Sequence, residues 1–207
     1  MARQPRRIDA KKTALLIVDM QNDFAHDDGA YVRGNARAPE VAALPERLAP
    51  VVRAAREKGI YTVATLFTLV PGHGGEPMIA EHLRELRPFL KRGDFAPGSW
   101  GQQVLEVLSP VDTCVEKVAF SAFYQTRLEY VFKRAGIEHV LVCGIVTNGG
   151  VASTARDAHV RDLHVTVLSD GCAAPSPRIH EAAIADLANV VAVQSCAEVL
   201  REIENLA

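Results

Sequence analysis

Residues 13–18, TALLIV, carry no charge, and Asp19 follows directly. An unbroken run of β-type apolar residues needs cover on both faces, and a parallel sheet between helix layers supplies it. Five more strand candidates recur along the chain, at 60–70, 112–120, 137–145, 163–170 and 190–194. Between them lie segments with apolar residues at helical spacing: 43–59, 125–136, 149–161, 176–189 and 195–206. Pro45 sits near the start of the first, and Gly59 and Gly136 follow the ends of the first two, as helix punctuation does. The segment 77–110 is less regular and holds a glycine- and aromatic-rich turn, FAPGSWG, at 95–101. Strands alternating with helices predict one α/β domain of three layers around a six-stranded, mostly parallel sheet.

That domain is expected over 13–207, behind a basic and flexible leader at 1–12. Hydrophobic residues make up 48% of the 207, enough for one sizeable core. The formal net charge is −2 with no basic stripe, which excludes a nucleic-acid surface. No apolar stretch approaches a membrane span, and the basic start leads into LLIVD rather than a signal-peptide cleavage site. A soluble cytoplasmic protein is expected, with no membrane partner. The four cysteines, Cys114, Cys143, Cys172 and Cys196, form no CxxC pair, so zinc and dithiol roles are weak and reduced thiols are expected.

Ligands of open α/β sheets bind outside the carboxyl ends of the strands. Three features fall there. Asp19 closes the first strand; burial would raise its pKa into the range of a general acid or base. Lys117 closes the third, where a lysine beside an aspartate could hold it and polarise a substrate oxygen. Between Gly144 and Val151 a strand turns into a helix through three glycines, with Asn148 as a candidate N-cap. Such a turn offers backbone N–H groups to an anion. Each feature also has a plain structural reading: a loop-capping carboxylate, an edge lysine, a tight crossover. GIVTNGG does not fit a dinucleotide fingerprint, and no phosphate-binding lysine motif occurs.

Taken in order, LLIVDMQNDF (15–24), EKVAFSAF (116–123) and GIVTNGGVASTARDA (144–158) resemble the isochorismatase-like, or cysteine hydrolase, family. DGCAA (170–174) and AEVL (197–200) extend the resemblance from about residue 13 to 200. It implies a Rossmann-like six-stranded sheet, a catalytic aspartate at Asp19, a catalytic lysine at Lys117 and a homo-oligomer. It also implies a non-proline cis peptide at Ile145–Val146. Most members place a nucleophilic cysteine where this chain has Gly150. True isochorismatases resemble this chain in having glycine there; they hydrolyse a vinyl ether by proton donation, with no covalent intermediate. The segment TLFTLVPGH (65–73) carries neither the Asp-x-His metal pair of some members nor, at Val70, the glutamine expected of an isochorismatase.

The site expected from these residues therefore has Asp19, Lys117 and Gly150 as its catalytic positions. Phe24, Trp100, Val146, Thr147, Asn148 and Gly149 are expected around a small-molecule substrate, with Phe95 also at the mouth. The backbone of 147–151 is expected to cradle an anion. No metal and no cofactor are expected, and His73 reads as a solvated loop residue. Cys172, after the fifth strand, is the thiol placed best to approach. Arg87 and Arg92 are candidate carboxylate partners but read more readily as solvated. The expected activity is cofactor-independent hydrolysis of a small organic acid or enol ether by Asp19 and Lys117. The alternatives are an amidohydrolase with an unusual nucleophile and a non-catalytic small-molecule-binding relative.

Overall fold

The protein is described here from a computed structural model covering residues 3–206. Its strands are β1 (Thr13–Val18), β2 (Tyr61–Phe67), β3 (Thr113–Lys117), β4 (His139–Ile145), β5 (His164–Ala173) and β6 (Ala192–Gln194). They form one sheet in the order β3-β2-β1-β4-β5-β6, and every neighbouring pair is parallel. The helices are α1 (Asn22–Ala25), α2 (Ala30–Arg33), α3 (Pro39–Glu57), α4 (Glu81–Leu86), α5 (Leu128–Ala135), α6 (Ala152–Val160), α7 (Pro177–Leu187) and α8 (Cys196–Glu204).

Side chains of one strand alternate between two cores. Leu15 and Ile17 join Leu44, Leu48, Val199 and Ile203 under α3 and α8. Ala14, Leu16 and Val18 join Leu128, Phe132, Val151 and Ala155 under α5 and α6. All six residues of β1 are buried, as an apolar run flanked on both sides by strands must be. Each fully buried Leu or Ile contributes roughly 1.5–3 kcal/mol. The serine-capped α7 and α8 begin where their capping signals sit: Ser176 accepts from the Ile179 amide, and Ser195 with Glu198 forms a capping box.

Several boundaries differ from the sequence expectation. Helix α3 starts at Pro39, so Pro45 lies inside it. Strand β5 runs on to Ala173, because Cys172 and Ala173 pair with Gly144 and Ile145 beyond a register shift at which β5 carries the extra residues. Gly144 is required at that point: its φ is 110°, and a β-carbon would stand 2.1 Å from the Val18 carbonyl oxygen. Ile8 is only 3% exposed within the α3-side core, and Arg6 and Lys12 both pair with Glu138. Residues 1 and 2 of the expected leader lie outside the described residues. Among the described residues, no helix is long and apolar enough to cross a membrane.

Chain order reverses at β1: β2 and β3 lie to one side, β4, β5 and β6 to the other. A crevice opens at such a switch point, beyond the carboxyl ends of β1 and β4.

Candidate active site

Asp19 follows β1 directly, with a left-handed backbone (φ 56°) that aspartate tolerates better than most residues. Its amide donates to Thr65 Oγ1 (3.0 Å), and the Thr65 hydroxyl donates back to Asp19 Oδ1 (2.6 Å). Its other oxygen, Oδ2, accepts from Lys117 Nζ at 2.7 Å. Lys117 stands at the end of β3, and β2 lies between β3 and β1. Two strand spacings are about 9–10 Å, so the long lysine stem is what carries the ammonium across. Nζ also donates to the Ala119 carbonyl (2.9 Å) and lies 5.7 Å from the Phe67 ring centre. The side chains of this pair are 1% and 8% exposed for Lys117 and Asp19. Burial pushes the Asp19 pKa above the ordinary carboxylate range; Lys117, Thr65 and Arg87 oppose the shift without cancelling it.

Both groups line a cavity of about 530 Å³ together with Gly150, Val146, Ile145, Phe24, Phe67, Tyr31 and Arg87. Val118, Phe120, Tyr124 and residues of α4 complete the wall. Thus, of the residues singled out in the sequence, Asp19, Lys117, Gly150, Phe24 and Val146 share this one cavity. A β-carbon added to Gly150 would stand 3.4 Å from Asp19 Oδ2, so position 150 addresses the carboxylate. The peptide bond Ile145–Val146 is cis.

The other expected contacts fall elsewhere. Trp100 is 47% exposed, set edge-on to His26 with ring centres 4.9 Å apart, and does not line the cavity. Its loop is held down instead by Asn22, whose side-chain amide donates to the Trp100 carbonyl (2.8 Å). Phe95 is fully buried behind the wall, packed on Phe24 and Phe67 at 4.5 and 5.4 Å. Asn148 is exposed on a separate surface depression beside Arg156 and Arg178, and caps no helix. Residues 147–151 form a π-turn, not the first turn of an α-helix. Thr147 is fully buried and bonds His180. Gly149 is not among the cavity-lining residues. The expected anion cradle is reduced, because the amides of Gly149 and Val151 both donate to the Val146 carbonyl (2.9 and 3.2 Å).

Conversely, Arg87 does not lie on a solvated face. It lines the cavity, with its guanidinium 6.0 Å from the Tyr31 ring centre and 5.8 Å from that of Phe67. Arg92 packs on Gly75 and takes no part in the cavity. Tyr31, Thr65, Phe67 and Phe120 were not singled out by the sequence, since nothing in their spacing sets them apart from core or loop residues. Gln21 and Asp23 have supporting roles. The Gln21 side chain bridges the Phe67 backbone and the Gln102 carbonyl, and Asp23 accepts from the amides of Ala30 and Phe95.

No thiol lines the cavity. Cys172 is buried with Sγ directed at the Val142 carbonyl, and Cys143 Sγ at the Leu16 carbonyl. Burial pushes both thiols well up, and pushes Cys196 up to about 12, so none is a thiolate at neutral pH. Among the described residues, no group of three or more His, Cys, Asp or Glu is placed to hold a metal.

The profile of the isochorismatase domain matches residues 13–201. The chain belongs to the isochorismatase family. Family relatives include the ureidoacrylate amidohydrolase RutB of Methylorubrum extorquens, 31% identical over 89% of this chain and 79% of its own length. A probable inactive nicotinamidase of Arabidopsis thaliana is 30% identical over 87% of this chain and 90% of its own. Among solved structures, a cysteine hydrolase from Pseudomonas syringae pv. phaseolicola 1448A superposes with a TM-score of 0.82 at 28% identity, covering 98% of this chain and 96% of that one. The protein is thus an isochorismatase-family hydrolase with the α/β fold of that family, and with glycine at position 150.

Proposed function

We propose that this hydrolase cleaves a C–N bond in a small, flat, anionic amide or ureido acid, using water directly and no covalent enzyme intermediate. The relatives' names support the C–N bond: one is an amidohydrolase and the other, a probable inactive nicotinamidase, is named for an amide substrate, and neither name lends anything to the enol ether favoured from the sequence. The observation that carries the direct use of water is Gly150. The position that addresses Asp19 has no side chain, and no thiol reaches the cavity.

The chemistry is then a single displacement. Asp19 takes a proton from water as its oxygen attacks the carbonyl carbon, and returns that proton to the departing nitrogen. A carboxylate raised by burial is a stronger base than one in water. Lys117, fixed 2.7 Å from Asp19, supplies positive charge for the oxygen that becomes negative. Asp19 and Lys117 cancel in net charge, which leaves Arg87 as the unbalanced cation of the cavity. A substrate carboxylate fits it. Phe24, Phe67 and Tyr31 provide flat apolar walls for the substrate body.

The test is ammonia release from a panel of small amides and ureido acids. Turnover is expected to fall about 10²–10⁴-fold in Asp19→Asn and to survive iodoacetamide treatment of the native enzyme. Loss of activity on alkylation, or a substrate-derived mass adduct on the protein, would overturn the direct-water route. A second reading has one observation in its favour. A carboxyl group with a raised pKa can hold a proton and donate it to the enol carbon, after which water adds to the oxocarbenium ion and the C–O bond breaks. A carbonyl product from an enol-ether panel, with no ammonia from any amide, would select it. Tight binding without turnover of either panel would mark a binding protein instead.

A further inference from the structure

We infer that His180 is a positioning residue for the turn that carries Gly150, acting through the hydroxyl of Thr147. This inference rests on the proposed function for its kinetic readout, but not for its structural one.

The π-turn Thr147–Val151 is buried at every residue but Asn148, so what fixes its position is its attachment to neighbouring elements. Two of its five residues, Gly149 and Gly150, have no side chains to pack. The backbone bonds from the Gly149 and Val151 amides both return to Val146, so they close the turn on itself rather than tie it to another element. At its far end, Val151 is buried in the α6-side core. At its near end, Thr147 is fully buried, and its Oγ1 lies 2.8 Å from His180 Nδ1. That is the side-chain hydrogen bond by which the start of the turn is attached to a different part of the fold.

His180 is well suited to be a fixed post. It sits in the first turn of α7, which opens with Ser176 as a bonded N-cap and Pro177 at its first position. Its own amide donates to the Ser176 carbonyl (3.0 Å). Neither Thr147 nor His180 lines the cavity, so the bond lies behind the turn and not in the path of a substrate. Gly150 is three residues along from Thr147. Any drift of Thr147 moves the segment that borders Asp19, and small misplacements of a reacting geometry are costly.

The experiment compares His180→Ala, His180→Asn and Thr147→Val, alone and as the Thr147→Val/His180→Ala pair. Asparagine places an amide near the position of Nδ1, so it can keep the bond; alanine cannot. His180→Ala is expected to lower kcat by on the order of 10- to 100-fold with KM changed by less than about twofold. His180→Asn is expected to restore most of kcat. The paired variant is expected to be no worse than Thr147→Val alone, because both changes remove one bond. In parallel, amide hydrogen exchange of the unliganded protein is expected to speed up at Gly149 and Val151 by about tenfold in His180→Ala, and to return in His180→Asn. The inference fails if exchange at these amides is unchanged in His180→Ala, whatever the activity. It also fails if the losses in the pair simply add, or if exchange rises evenly through the fold. If exchange behaves as stated while Asp19→Asn stays fully active, the attachment stands and the proposed function is what falls.

Discussion

Gly150 faces Asp19: a β-carbon grown from it would lie 3.4 Å from Asp19 Oδ2 and 2.9 Å from the Ile145 carbonyl oxygen. The first distance places a side chain at the carboxylate; the second says that the backbone has closed around a glycine. Gly150→Cys is therefore expected to cost about 1–3 kcal/mol by crowding Ile145. It is also expected to create a thiol that iodoacetamide alkylates. Peptide mapping after labelling checks this, with a new adduct at residue 150 as the expected outcome. An unreactive cysteine in a folded variant would mean that position 150 does not open into the cavity.

The Asp19–Lys117 pair is almost wholly buried, so removing one partner strands the other. Asp19→Asn and Lys117→Met are each expected to destabilise the fold by about 3–5 kcal/mol. The double variant is expected to recover much of that stability and none of the activity. Urea denaturation of the three variants measures it. Full additivity of the two losses would contradict a direct ion pair.

Stability should depend on pH in two opposite ways. Burial, with the nearby His164 and Arg6, holds His139 down to about 4 from its usual 6.5. The unfolded chain then binds more protons than the native one between those values, so stability is lost as pH falls from about 6.5 to 4. The shift of roughly 2.5 units corresponds to an upper bound of about 3 kcal/mol. Asp19 is shifted the other way, so its native form holds a proton that the unfolded chain releases. Its contribution is present below the ordinary carboxylate pKa and is lost as pH rises through its raised value. Denaturation midpoints at several pH values, compared with His139→Gln, separate the two. The variant should lose the acid-side dependence and keep the rest. An unchanged acid limb in that variant would refute the assignment to His139.

Arg87 gives the cavity its net positive charge. Arg87→Met is expected to raise KM for a carboxylate-bearing substrate by about 10- to 100-fold, as for loss of a charged hydrogen bond. For the matching neutral amide KM should barely change. Steady-state kinetics on such a pair of substrates decides the matter. Equal effects on both would show that Arg87 only props the wall through Tyr31 and Phe67.

Much of this protein could be read along the chain. TALLIV predicts a strand covered on both faces, and β1 is buried throughout. Asp19 and Lys117 stand at strand ends, where a parallel sheet gathers its chemistry, and they meet there. The Trp100 expectation failed for a definite reason. A loop rich in glycine and aromatics can ring a cavity or lie against the body, and the choice rests on partners distant in sequence. Asn22 holds this one by the Trp100 carbonyl. Arg87 was undervalued because α4 shows no buried face of its own, so nothing local told which side of it meets the cavity.

Periodicity and residue type determined the layers, the number of strands and the ionisable groups at their ends, because those follow from local burial and backbone preference. They also fixed the absence of a side chain at position 150. Strand order did not follow from them. Only the tertiary structure placed β2 between β1 and β3, so that a lysine had to reach over a strand to its aspartate. Only it turned Cys172 away from the cavity, attached Thr147 to His180 and brought Arg87 to the cavity. Each of these depends on residues that are far apart in the chain, and their meeting is decided by how the layers pack.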